Sequence, residues 1–118
     1  MIKAFLGYDI SPGVTPAEYD KWLWEIHVPD RLANPNLKYL VFNTVTGVIL
    51  GDRTFYRIAE LHFRDGETFD AYQAWNEEHP IAEQRTSVGR TAMIFNVLAE
   101  DINVDRESLH AMVSHPEA

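Results

Sequence analysis

Cysteine is absent from this sequence, and residues of positive charge are scarce. Without thiols, the chain forms no disulfide, no thiolate zinc site and no cysteine nucleophile. Ten Lys and Arg residues stand against eighteen Asp and Glu residues, which gives a net charge of −8 over 118 residues. Because a nucleic-acid surface needs basic side chains to neutralise phosphates, we expect no nucleic-acid partner.

Long apolar runs and ligand-binding motifs are also missing. No apolar run approaches the roughly 20 residues of a membrane-spanning helix, so we expect no membrane partner. The run at 2–10 is too short for a signal-peptide core with a cleavage site, which favours a cytoplasmic location. The turn glycines are isolated, so neither a phosphate loop nor a nucleophile elbow is predicted. Since no two histidines have i, i+4 spacing, we expect no metal ion.

The apolar pattern predicts four strands and two helices in the order β-α-β-β-α-β. The predicted strands span residues 2–10, 37–50, 55–63 and 91–99. Thr15 and Pro16 are typical of a helix start, and this helix should end near His27, because Pro29 disfavours helical geometry in the preceding residue. The second helix is predicted from its cap at Thr68 to about His79, with one further turn to about residue 86.

This order predicts an α+β, ferredoxin-like fold with a four-stranded antiparallel sheet. We expect one domain over residues 1–101 and a C-terminal extension over 102–118, made of a short helix and a tail. Both the odd and the even positions of the predicted strands are apolar. Because alternate residues point to opposite faces of a sheet, both faces should be buried. A homodimer through the sheet faces is the simplest way to cover the second face.

Several short motifs resemble a known family. They are Trp22-x-x-x-x-His27-x-Pro29, the following Pro35-x-Leu37, and Glu60-Leu61-x-Phe63-x-Asp65 before an aromatic helix. With the βαββαβ order, they resemble the EthD-like group of the dimeric α/β-barrel, or stress-responsive barrel, superfamily over about residues 1–101. The resemblance implies a pocket between helices and sheet. Several superfamily members use such a pocket for cofactor-free chemistry on small organic molecules. They include polyketide cyclases, muconolactone isomerases and quinone-forming monooxygenases, and other members bind haem. The segment 75–79 departs from the family, whose second helix often carries a serine–acid pair.

His27 is the main catalytic candidate. An imidazole titrates near neutrality, and a helix C-terminus would favour its cation and leave the ring free to enter a pocket. The alternative is a histidine that only caps the last carbonyls of its helix. Tyr8, near the expected pocket mouth, is a second candidate, and His79, before Pro80, is a third, although a surface cap is the simpler interpretation of His79.

The substrate-binding candidates are aromatic and amide side chains: Trp24, Trp75, Phe42, Asn43 and Asn96. Stacked rings contribute about 0.5–1.5 kcal/mol per pair, and an amide inside an apolar strand must be hydrogen-bonded, either to a ligand or across the sheet. Glu60 and His62 are two residues apart and therefore share one face of their strand. This spacing is compatible with an acid–base pair, a metal site or a polar network at a dimer interface.

These residues lead to one main hypothesis and two alternatives. The main one is a cofactor-independent acid–base enzyme of lyase, isomerase or cyclase type, acting on a small aromatic molecule in a degradative or secondary-metabolic pathway. The first alternative is a non-catalytic accessory protein that binds a small molecule for an oxidase system. The second is a haem-dependent or cofactor-free monooxygenase.

Overall fold

A four-stranded antiparallel sheet forms the centre of the computed structural model, which describes residues 1–114. Its strand order is β2-β3-β1-β4. The strands are β1 Ile2–Ile10, β2 Tyr39–Thr44, β3 Arg57–Phe63 and β4 Thr91–Glu100. The helices are α1 Pro16–Trp22, α2 Val28–Leu32, α3 Gly66–Glu78 and α4 Arg106–Ser114. The predicted α+β, ferredoxin-like arrangement is confirmed.

One helical segment follows β1 and continues past the proline that was expected to stop it. Thr15 caps its start as predicted, accepting the Glu18 N–H at 3.2 Å. The predicted end near His27 is wrong, because α1 and α2 are joined by a π-helical turn, Leu23–His27. In that turn, the Val28 N–H donates to the Leu23 carbonyl, five residues back. This wider turn places Pro29 in the first turn of α2, where its missing N–H is tolerated.

Two other predicted boundaries need correction. Strand β2 ends at Thr44 rather than residue 50, and residues 45–56 form a loop in which Ile49 and Leu50 are exposed. Thr68 is not the cap of the second helix. Asp65 takes that role, since its side chain accepts the Thr68 N–H at 2.8 Å. The helix ends at Glu78, and the expected further turn is only the short 3₁₀ segment Glu83–Arg85.

Helices α1, α2 and α3 pack on one face of the sheet, which we call the inner face. The core there has two parts: one around Tyr8, Tyr19, Trp22, Leu23 and Ala59, and one around Ala4, Leu37, Phe63 and Tyr72. Asn34, only 1% exposed, links the two helical segments. Its amide donates to the Tyr72 carbonyl at 3.0 Å and to the Asn76 side chain at 3.1 Å. Together these contacts fix the end of α2 against α3.

The opposite, outer face of the sheet carries aromatic and aliphatic side chains. Gly7 pairs with Phe95, whose ring lies so close that a Cβ on Gly7 would overlap it. Val97, on the same face of β4, is 49% exposed. Beyond the sheet, α4 begins after Asp105, which caps it through the Ser108 N–H at 2.7 Å. The predicted tail from residue 115 lies outside the described residues. No helix in residues 1–114 is both long and apolar enough to cross a membrane.

Candidate functional site

A cavity of about 650 Å³ lies between the inner face of the sheet and the helices. This volume falls within the roughly 300–1,000 Å³ of small-molecule sites in proteins. Alternate residues of the strands, such as Leu6, Phe42 and Leu61, form its apolar floor. Polar side chains from the helical segments and from β1 enter the same space, so the cavity can hold an apolar molecule and orient its polar groups.

His27 lines this cavity from the last position of the π turn. Its ring stacks on the buried Trp22 indole, with the centroids 4.6 Å apart. The Nδ1 atom is buried and has no hydrogen-bond partner among the described residues. Burial, aided by the charge of Arg31 and opposed by Asp30, lowers the pKa of His27 to about 4. The expected helix-end stabilisation of a cation is therefore wrong, and His27 is neutral at pH 7.

Tyr8 reaches the cavity from β1, and its side chain is almost fully buried. Its hydroxyl, like Nδ1 of His27, makes no hydrogen bond of good geometry among the described residues, although Tyr19 and Arg57 lie close enough to act on it. Burial raises the pKa of Tyr8 well above its usual range, with the neighbouring Tyr19 acting in the same direction and Arg57 opposing. The phenol therefore stays protonated and available as a hydrogen-bond donor.

An ion pair that sequence analysis did not identify supports the Tyr8 side of the cavity. Arg57 on β3 donates from Nη1 to Asp20 on α1 at 2.6 Å. Tyr56 donates its hydroxyl to the same carboxylate at 3.0 Å, and the guanidinium lies over the Tyr56 ring. These bonds hold α1 on the sheet. The only signal in the sequence was an acidic residue directly after the apolar Tyr19.

Some of the predicted site residues line the cavity and others do not. Phe42 and Asn96 line it together with His27 and Tyr8. Trp24 does not; it is 52% exposed and packs edge-on against the Phe42 ring, with the centroids 5.3 Å apart. Its indole therefore contacts a residue of the cavity floor and does not itself line the cavity.

His79 and Trp75 lie together at the exposed end of α3. The two rings stack with their centroids 4.1 Å apart, and His79 Nδ1 donates to the Trp75 carbonyl at 2.8 Å. His79 thus has the capping geometry considered from the sequence, and neither residue lines the cavity.

Glu60 and His62 form a polar cluster on the outer face, away from the cavity. Oε1 of Glu60 lies 3.0 Å from Nε2 of His62, and the Tyr39 ring stacks on the imidazole at 4.3 Å. Asn43 donates to the other carboxylate oxygen at 2.6 Å, so this predicted substrate-binding residue lies in the outer cluster. Among residues 1–114, no group of three or more His, Asp and Glu side chains is placed to hold a metal ion.

Helices α2 and α3 contribute polar residues that sequence analysis missed. Arg31 lines the cavity, and its Nη1 donates to the Tyr72 hydroxyl at 3.3 Å. Gln73 and Asn76 line the cavity from α3. Arg31 lies four residues after His27, which places both on one face of a helix. That spacing was the available signal, but the helix was expected to end before Arg31.

Comparisons with known proteins identify the fold of this chain but not its function. No protein-family model and no curated protein matches the sequence. Among solved structures, At3g17210 from Arabidopsis thaliana has a TM-score of 0.69 at 14% identity, covering 89% of this chain and 99% of that one. HapK from Hahella chejuensis has a TM-score of 0.58 at 6% identity, covering 89% and 96%.

An ethyl tert-butyl ether D (EthD) family protein from Bacillus halodurans has a TM-score of 0.55 at 17% identity, covering 86% of this chain and all 100% of that one. The chain is therefore an α+β protein with the fold of these three proteins. Its resemblance to the EthD-like group is confirmed at the level of the fold. At these identities, a shared fold does not carry a shared function.

Proposed function

We propose that the protein is a cofactor-independent acid–base enzyme of lyase, isomerase or cyclase type, acting on a small aromatic molecule. One observation carries the proposal: His27 and Tyr8 line the same cavity, and each has a buried polar atom without a partner among the described residues. Leaving such an atom unpaired costs about 1–3 kcal/mol. A bound substrate that pairs with both atoms would offset this cost.

The protonation states assign the two roles. Neutral His27 accepts a proton from a carbon beside a carbonyl or phenol, and the C–H electron pair moves into the enolate or phenolate system. Protonated Tyr8 donates a hydrogen bond to the oxygen on which negative charge develops. The imidazolium then returns its proton to another carbon in an isomerisation or cyclisation, or to the leaving group in a lyase reaction.

The low pKa of His27 fits a base that works only on a bound substrate. In the empty cavity, burial and Arg31 oppose its protonation. During the reaction, the imidazolium forms together with an anionic oxygen, and the two charges attract strongly in a water-poor site. The apolar floor around Phe42 and Leu61 suits an aromatic substrate body, and Asn96, which also lines the cavity, would orient a polar substituent.

The proposal includes a homodimer formed through the outer sheet faces. Support comes from the apolar side chains on the β4 side of that face, where Phe95 and the half-exposed Val97 lie. We also keep the sequence-based expectations of a cytoplasmic location and of a place in a degradative or secondary-metabolic pathway.

Proton abstraction can be tested before the product is known. The purified protein is incubated in D₂O with a panel of small aryl ketones, β-dicarbonyls and phenols, and deuterium uptake at the acidic carbons is followed by NMR. The proposal expects uptake well above the buffer rate for at least one class. Buffer-level uptake for every class would contradict it.

A non-catalytic small-molecule-binding protein is the second candidate. The observation that favours it is the same low pKa of His27, because a weak base is a poor catalyst unless the substrate compensates. This candidate predicts that panel members raise the melting temperature of the protein without taking up deuterium.

A further inference from the structure

Among residues 1–114, Arg31 is the only arginine or lysine in the lining of the cavity between sheet and helices. It is half-buried in α2 and follows His27 by one helical turn. One of its five N–H donors is used on the Tyr72 hydroxyl, at 3.3 Å. No carboxylate within the described part of the chain lies within ion-pair distance of its guanidinium.

Among the arginines of the described chain, Arg90 and Arg106 also lack a carboxylate partner, but neither lines the cavity, whereas the other four are paired. Those four pair with a carboxylate; they are Arg53 with Asp9, Arg57 with Asp20, Arg64 with Asp65, and Arg85 with Asp30. A cation that is partly removed from water without a counter-ion loses part of its hydration. In an otherwise mainly apolar cavity, such a cation indicates that the ligand supplies the negative charge.

We propose that the cavity binds an aromatic carboxylate, whose carboxylate group is held by the guanidinium of Arg31 while the aromatic body lies on the apolar floor. This inference rests on the proposed function only in placing the reacting carbon near His27. A carboxylate fits better than a phosphate, because one guanidinium matches a single planar anion, and a phosphate of nearly two charges needs further donors and cations.

The charge around the cavity makes this preference specific. The protein carries a net charge of −8, so its overall field repels anions from the surface. Glu77, an exposed residue, also lines the cavity and opposes a bound carboxylate. A preference for an acid over its neutral analogue must therefore come from a local cation, and Arg31 is the one that the described lining provides.

The test compares two probes of nearly equal shape, 2-naphthoate and 2-naphthamide, by isothermal titration calorimetry at pH 7. The wild type should bind the acid at least about tenfold more tightly than the amide. In Arg31→Gln, the affinity for the acid should fall to that for the amide, while the affinity for the amide should stay unchanged. Arg31→Lys should retain part of the preference, because it keeps the charge but not the planar fork.

Two further variants separate a local contact from general effects. Arg64→Gln removes the same charge from an exposed site outside the cavity and should leave the preference unchanged. Glu77→Gln should strengthen binding of the acid alone, and it tests the inference even if Arg31→Gln unfolds, which circular dichroism would show. Equal binding of acid and amide by the wild type, the same preference in Arg31→Gln, or no binding of either probe would overturn the inference.

The carboxylate site and the proposed enzyme can fail independently, and the two experiments distinguish these cases. Deuterium uptake into neutral aryl ketones, with no preference for acids, would keep the acid–base enzyme and reject the carboxylate site. An Arg31-dependent preference for naphthoate without deuterium uptake in any panel member would support the carboxylate site and reject the enzyme.

Discussion

The imidazole of His27 stacks on the indole of Trp22, with the ring centroids 4.6 Å apart. Two further contacts hold the indole. Its Nε1 donates to the Arg85 carbonyl at 3.1 Å, and the Arg90 guanidinium lies over the ring. A ring fixed in this way holds the imidazole in one orientation in the cavity wall.

His27 should titrate near pH 4 instead of near 6.5, and its titration should influence stability in a defined pH window. The unfolded chain takes up this proton near pH 6.5 and the native protein only near 4, so the free energy of unfolding falls as the pH drops between these values. Urea unfolding of the wild type and of His27→Gln, each at pH 7 and at pH 4.5, measures this fall in the free energy of unfolding.

The variant lacks the titrating group, so its loss of stability between the two pH values should be smaller than that of the wild type. The carboxylates titrate in both proteins and cancel in the comparison. An NMR titration that places His27 near pH 6.5, or equal pH dependence of the two proteins, would count against the assigned environment.

Asp20→Asn should destabilise the protein by about 1–2 kcal/mol at pH 7, because it leaves the buried Arg57 guanidinium without its counter-charge. Arg57, first through its hydrogen bond, lowers the pKa of Asp20 below 3.8. The contribution is therefore complete above that value and is lost as the pH falls through the lowered pKa. Denaturant unfolding at pH 7 and pH 3 checks both statements; an effect of equal size at both would refute the second.

Gly7→Ala should destabilise the protein by about 1–3 kcal/mol, because the new methyl group would overlap the Phe95 ring. The same change in a Phe95→Ala background should cost less, since the obstacle is gone. Gly66→Ala is the matched control, because no atom lies within 4 Å of its new Cβ and alanine favours the helix that begins there. Equal losses for Gly7→Ala in the two backgrounds would rule out the overlap as the cause.

The proposed dimer predicts twice the monomer mass of 13.6 kDa in light scattering. Val97 shares the outer face with Phe95, although the residue also borders the cavity, and Val97→Glu should shift the mass toward the monomer, because it would bury an unpaired charge between the sheets. Val88→Glu replaces an apolar residue that is 64% exposed in a loop and should leave the mass unchanged. A wild-type monomer, or a dimer insensitive to Val97→Glu, would remove the sheet-to-sheet interface.

Sequence analysis predicted the fold well where local rules act alone. Strand β1 has the predicted bounds. Thr15 caps α1 as predicted, because its hydroxyl accepts the Glu18 N–H and Pro16 suits the first turn of a helix. The errors come from features that general proline, capping and propensity rules do not represent. Proline rules assume an α-helical register, so they could not anticipate a π turn that lets the helix continue past Pro29 to Arg31. β-Branched residues after Thr44 predicted strand, but the β2–β3 pairing ends there.

The candidate site was predictable only in part for the same reason. His27, Tyr8, Phe42 and Asn96 were named from the sequence and line one cavity. Arg31 was missed, because its place depends on the continued helix. Side-chain type alone did not reveal that Asn43 faces the outer surface, or that Trp24 lies beside the cavity floor and not in the lining. Strand register and helix rotation decide such placements.

The acid–base role of His27 is tested most directly by the deuterium uptake of matched histidine variants on the best compound of the panel. His27→Gln should lower the rate of uptake by about a hundredfold or more, because it removes the proton acceptor. His79→Gln, at the exposed end of α3, should keep the wild-type rate. Wild-type uptake in a folded His27→Gln protein would contradict the account.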